Sequence, residues 1–299
     1  MFTTLATLAA LTLAYQGESD TTVAVQAGAR LDVNNFGGEI AVRTWSQNSV
    51  RVRASHSTRD RVDVSASATA VSVRTSGRRG PSSIVELQIT APTWMALTLS
   101  GVYTDITVEG AGDAVTAESV QGDVTVTGGN GNISLKSVEG SVTLSKTHGR
   151  IEITTVEGDV TVSDAVGEIS AESVDGDLRL LHIEASSVDV NTVDGDITYD
   201  GTIRDGGRYR LSTHDGDVTV SVPPNASVVV SVATFDGEFD ASFPVNLTRA
   251  GKHRFSFTIG GGSARLELET FDGNIRLRRP GQLTEPAQPE RKPKHDNPY

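Results

Sequence analysis

Through the middle of the chain, apolar and polar residues alternate in short bursts that restart every nine residues. Gly122, Gly131, Gly140, Gly149, Gly158, Gly167 and Gly176 mark the restarts, followed by DVTV, NISL, SVTL, RIEI, DVTV, EISA and DLRL. Thr104 and Asp113 hold the same phase upstream, before DITV and AVTA. Such period-two alternation is the signature of a half-buried β-strand, and the 3.6-residue period of a helix is absent. One strand face is expected to carry Val124 and Val126, Ile133 and Leu135, Val142 and Leu144, and Ile151 and Ile153 into a core.

A longer period lies over the first. Two residues before alternate glycines stand Val120, Val138, Val156 and Val174, where the other half-repeats have Gly129, Thr147 and Ala165. The unit is therefore an 18-residue coil of two strands and two turns, one turn tucking in a valine and the other a smaller residue. On that reading Val156→Asp drives a charge into the interior. The phrase returns at looser spacing as TVDGDITY (192–199), THDGDVTV (213–220), TFDGEFDA (234–241) and TFDGNIRL (270–277), with the extra residues expected as loops on one side.

A fixed period near this length predicts a solenoid. The expected fold is all-β: a right-handed, single-stranded parallel β-helix of 18–21 residues per coil. About a dozen coils stacked ~4.8 Å apart make a rod on the order of 60 Å long. The glycines are expected at positive φ, or where the backbone leaves no room for Cβ.

Four regions follow. Residues 1–15 open with MFTTLATLAALTLA, apolar but too short to span a bilayer, and read as a signal peptide. Residues 16–100 read as an N-terminal cap with the first, irregular coils; Arg51, Arg53, Arg59, Arg61, Arg74, Arg78 and Arg79 crowd it, as solvated edge strands do. Residues 101–279 are the regular solenoid with looser C-terminal coils, interrupted at Pro223-Pro224-Asn225. Residues 280–299 are polar, proline-rich and aperiodic, the composition of a disordered tail. No segment after the first is long and apolar enough to cross a membrane as a helix.

Charge narrows the function classes. The net charge is −12, and residues 101–200 alone carry 19 acidic against 4 basic side chains, which argues against a nucleic-acid partner. The absence of cysteine removes disulfides, thiolate metal sites and cysteine nucleophiles. Stacking the coils brings two acidic rows to one edge. Glu139, Glu157, Asp175, Asp194 and Asp215 precede the glycines, continued by Asp236 and Asp272; Asp123, Asp159, Asp177, Asp196 and Asp217 follow them, with Glu238. The plain expectation is that these are turn residues capping backbone N–H groups. The sharper alternative is a calcium-stabilised scaffold in which the cation bridges carboxylates of adjacent coils. The period-nine calcium repeat GGxGxDxUx differs, since here the acid directly follows the glycine. His214, with Asp215 and Asp217, is the one local group resembling a metal or general-base site, and a half-buried structural histidine is the expectation. No nucleophile elbow, P-loop or dinucleotide fingerprint is present. Trp45 and Trp94 precede the ladder and are expected in core or cap packing rather than as sugar platforms. A carbohydrate-active β-helix enzyme is thus the weaker reading, and no cofactor is expected.

The ordered phrases LDVNNFGGEIAV, APTWMALTLSG, the recurring T/S-V-x-G-D-[VI]-T-V, VPPNASVVVSVATFDGEF and GGSARLELETFDGNIRL resemble the bacterial DUF4097 family of adhesin-type domains over residues 22–279. The resemblance implies a β-helix similar to adhesin heads and supplies no catalytic motif. The combined expectation is an exported, non-enzymatic module in the periplasm, at the cell surface or outside the cell, binding a protein or a surface glycan. A periplasmic sensory or regulatory partner is the further alternative.

Overall fold

The computed structural model describes residues 16–78, 80–251 and 253–283. The expected signal peptide and most of the expected disordered tail lie outside these residues. Among the described residues there is no helix, and one 22-stranded sheet winds upon itself as a β-solenoid-like stack. None of its elements could cross a membrane as a helix.

Equivalent strands pair in parallel, in the predicted register. Ile133 lies between Val115 and Ile151, and Val142 lies between Val124 and Val160. The alternating residues named from the pattern all face inward: Val124, Val126, Ile133, Leu135, Val142, Leu144, Ile151 and Ile153 are at most 1 % exposed. Each such side chain contributes about 1.5–3 kcal/mol of burial, but only if the next coil covers it. The stack is therefore cooperative from coil to coil.

The expected tucked-in valines are the main correction. Val120, Val138, Val156 and Val174 are 39–48 % exposed, and Val193 at the equivalent place in the next coil is 51 % exposed. The side chains buried at this turn are their predecessors, Ser119, Ser137, Thr155, Ser173 and Thr192. Strict alternation explains this: Val115 and Ala117 point inward, so Ser119 does too, and Val120 must point out. Hydrophobicity had suggested a core position where strand geometry does not provide one.

Chain order and stacking order part at both ends. Arg30–Trp45 pairs with Leu97–Ala111 on one side and with Ala70–Gly77 and Val85–Pro92 on the other. At the opposite end, Ala264–Asp272 lies between Arg208–Asp215 and Val228–Asp236, and Ile275–Arg278 lies between Val218–Ser221 and Phe239–Ala241. The outermost coils are then covered by antiparallel strands: Ser49–Ser57 and Asp60–Ala66 at one end, Arg254–Ile259 at the other. An uncovered terminal coil would expose a row of unpaired backbone groups. A hairpin can cover such an edge through a short turn, whereas a parallel strand needs a full crossover.

The looser coils keep the acidic turn constant and place extra residues opposite it at 202–207 and 222–227, while the longest insertion carries the antiparallel strand Arg254–Ile259 and brings His253 back beside the acidic turn. Where the coil lengthens, Tyr199 and Tyr209 fill the interior. The Tyr209 hydroxyl donates to the Ala185 carbonyl at 2.7 Å and accepts from the Arg204 N–H at 2.8 Å, while Tyr199 donates to Thr202 at 3.0 Å.

At each acidic turn the glycine is sterically required. Gly158 has φ 147°, and a Cβ there would lie 2.3 Å from the Gly140 carbonyl oxygen. Gly158→Ala is therefore expected to cost about 2–4 kcal/mol in chemical denaturation, whereas Val156→Ser, on the outer face, should cost less than about 1 kcal/mol.

Candidate binding edge

The edge is built by a turn with a fixed order of roles. First comes the buried hydroxyl, which satisfies backbone oxygen inside the coil. Ser119 donates to the Thr104 carbonyl at 2.7 Å, Ser137 to Gly122 at 3.1 Å, Thr213 to Gly195 at 3.1 Å and Thr270 to Gly216 at 3.0 Å. Thr155 donates to the Ser173 hydroxyl at 2.9 Å. Without these donors, carbonyls facing the core would be buried unpaired, at about 1–3 kcal/mol each.

Next come the outward apolar residue and the acid before the glycine. Parallel register stacks the apolar residues into one file. It begins at Phe36 and Val102, runs through Val120, Val138, Val156, Val174 and Val193, and reaches His214. The interleaved C-terminal coils then extend it as a column of rings. His214 stacks on Phe271 at 4.9 Å between centroids, Phe271 on Phe235 at 4.9 Å, and Phe235 on His253 at 4.6 Å, with interplanar angles of 14°, 4° and 16°. The ring faces are taken up by one another, so the column presents edges to solvent. Among the described residues, only Ile84 and Tyr103 are large exposed hydrophobic side chains outside this file. His214 is thus an exposed member of the file rather than a half-buried structural histidine. A shallow recess of about 400 Å³ lies beside the column, lined by His214, Phe235, His253, Arg254, Glu269 and Phe271.

The two predicted acidic rows have different fates. Asp123, Asp159, Asp177, Asp196 and Asp217, behind the glycines, form a capping ladder. Asp123 accepts the Ser141 N–H at 2.8 Å, Asp159 that of Asp177 at 2.9 Å, Asp177 that of Asp196 at 2.9 Å and Asp196 that of Asp217 at 2.8 Å. Arg179 lies against Asp177 and 3.7 Å from Asp159, offsetting part of the like charge. This is the turn-capping role read from the sequence. The row ahead of the glycines, Glu139, Glu157, Asp175, Asp194 and Asp215, projects into solvent beside the apolar file. Within it, Glu139 takes a hydrogen bond from the Gln121 amide. Among the described residues, no three acidic or histidine side chains converge on a common point as a metal site would require.

Asp217 closes the ladder. Partial burial pushes its carboxyl up, but the N–H of Asn274 at 2.7 Å, the Asn274 side-chain amide at 3.0 Å and the Arg276 guanidinium outweigh this and hold it below the ordinary carboxylate range. A depressed folded-state value contributes stability above the unfolded pKa of about 3.9, and that contribution is lost as pH falls through the folded value. Asp217→Asn should therefore reduce the loss of melting temperature between about pH 4 and pH 2, measured by circular dichroism against the unaltered chain.

The aromatic column was not recognised from the pattern. Its signal is the replacement of TVDG by THDG and TFDG in the last coils, and its continuity appears only once the interleaved stacking is known. Trp45 and Trp94 lie at the N-terminal end and donate to the Ser49 carbonyl at 2.8 Å and the Asn48 side chain at 3.1 Å, in keeping with cap packing.

A "putative adhesin" from Bacteroides fragilis is similar at 12 % identity over 88 % of this chain and 97 % of that one, with a TM-score of 0.41. A "putative adhesin" from Parabacteroides distasonis gives 10 % identity over 89 % and 98 %, with a TM-score of 0.39. A "putative lipid binding protein" from the same species gives 8 % identity over 88 % and 97 %, with a TM-score of 0.40. No curated protein matches the chain. The family model described as Toastrack DUF4097 matches residues 10–278, and the chain belongs to that family.

Proposed function

We propose that the chain is an exported, non-enzymatic, adhesin-like module of the cell envelope or cell surface, a single-stranded β-helix whose acidic edge binds a partner. The observation that carries this reading is the placement of exposed apolar residues. A solenoid can scatter such residues over its whole outer surface, yet here they collect in one continuous file beside a row of solvent-facing carboxylates. Contiguous exposed apolar surface rimmed by polar groups marks interaction sites. The capping ladder, by contrast, is engaged with backbone amides and serves the fold.

Co-sedimentation with isolated cell-envelope fragments tests the reading. The full chain is expected to sediment with them, and the triple variant Val138→Ser, Val156→Ser, Val174→Ser to remain in solution at an unchanged melting temperature. Equal retention of both, or sustained turnover of a polysaccharide abolished by substitutions in the acidic rows, would overturn it. Calcium has no structural task in this account, so melting should coincide in chelator and in millimolar calcium. A calcium-dependent rise would favour the scaffold reading instead.

A further inference from the structure

We infer that the edge file takes a cationic amphipathic α-helix laid along the rod axis; this rests on the binding-edge reading above and names its partner class. Three observations lead there.

The first is charge. The apolar file has the outer acidic row, Glu139, Glu157, Asp175, Asp194 and Asp215, on one side. On the other side the same coils present Glu118 paired with Lys136, then Thr154, Glu172, Asn191 and Ser212, a flank with little net charge. A partner must bring an apolar stripe with positive charge along the flank that meets the acidic row. A second copy of this chain would set acidic row against acidic row and is disfavoured, as is an anionic bilayer surface.

The second is spacing. The file offers one apolar side chain per coil, at the ~4.8 Å separation of paired strands. A helix offers about one apolar residue per 5.4 Å turn along its stripe. The mismatch accumulates to only about 3 Å over five coils, which long flexible side chains absorb. An extended strand along the same line presents like-facing residues about 6.6 Å apart and falls out of step after two coils.

The third is shape. The valines are the last outward apolar residues before each glycine turn, at the corner of the coil, and their preceding neighbours are buried. The file is a narrow ridge rather than a pocket, and a ridge packs into the groove between side-chain rows of a helix. The C-terminal ring column continues the ridge with flat edges.

The probe is a synthetic leucine/lysine amphipathic helix of about 18 residues, long enough to cover five coils. Its controls are a leucine/glutamate analogue of the same pattern and a leucine/lysine peptide of the same composition in scrambled order. Binding to the full chain is read by fluorescence anisotropy at several salt concentrations. The patterned leucine/lysine helix is expected to bind in the micromolar range, with affinity falling as salt rises, and the other two at least tenfold more weakly. Val138→Ser, Val156→Ser, Val174→Ser should weaken it at least tenfold with the salt dependence intact. Glu157→Gln, Asp175→Asn, Asp194→Asn should weaken it and flatten the salt dependence. Equal binding of the scrambled peptide, indifference to the valine substitutions, or self-association of the chain in place of peptide binding would each overturn the inference. If no peptide binds while envelope retention still depends on the valines, this inference fails and the binding-edge reading stands; if retention is also indifferent to the valines, that reading fails as well.

Discussion

The structure depends on close contact between glycine backbones at one turn of every coil. A Cβ on Gly140, Gly158 or Gly176 would lie 2.3 Å from the carbonyl oxygen of the equivalent residue one coil earlier, so any other residue would force the coils apart. The strand spacing of ~4.8 Å cannot stretch without losing the parallel ladder, so sequence variation is excluded here and displaced to the neighbouring positions. Beneath each contact a serine or threonine hydroxyl supplies the hydrogen bond that a purely apolar core could not. Glycine and hydroxyl act together: one permits the approach, and the other satisfies the polar backbone that the approach buries.

The outer edge follows from this turn. With the hydroxyl residue fixed inward, the next residue must face solvent, and the one after that stands at the turn apex. Natural choice of valine and phenylalanine at the first of these positions, and of carboxylates at the second, is not demanded by folding. Both tolerate solvent, and neither touches the core. The acid behind the glycine is different, since its carboxylate holds an amide of the next coil and a guanidinium or amide often holds it in turn. Two rows that look alike in sequence thus separate into one that builds the rod and one that is available to a partner.

Much of this was legible from the chain. The nine- and eighteen-residue periods specify the strands, the parallel register and the inward residues, because one buried face and a period of two leave a single consistent alignment. The capping role of Asp159, Asp177, Asp196 and Asp217 follows from their place beside glycine in a turn. Two features were not legible. The direction of Val120 and its equivalents was misread because side-chain type was weighed above alternation, although Val115 and Ala117 already set the phase. The interleaving of 264–278 between earlier coils was hidden because repeat phase reports which residues are equivalent and carries no information on which coils are neighbours. The ring column depends on that interleaving, so it was hidden as well.

The account turns on which residue of the glycine turn faces water, and the lack of native cysteine allows a direct measurement. Single cysteines placed at Thr155, Val156 and Glu157 can be titrated with a thiol-reactive maleimide under native conditions. Labelling at 156 and 157 at rates near those of the unfolded chain, with protection at 155 that is lost on denaturation, is the predicted result. Protection at 156 with free labelling at 155 would place the valine file in the core, remove the exposed ridge and contradict the account.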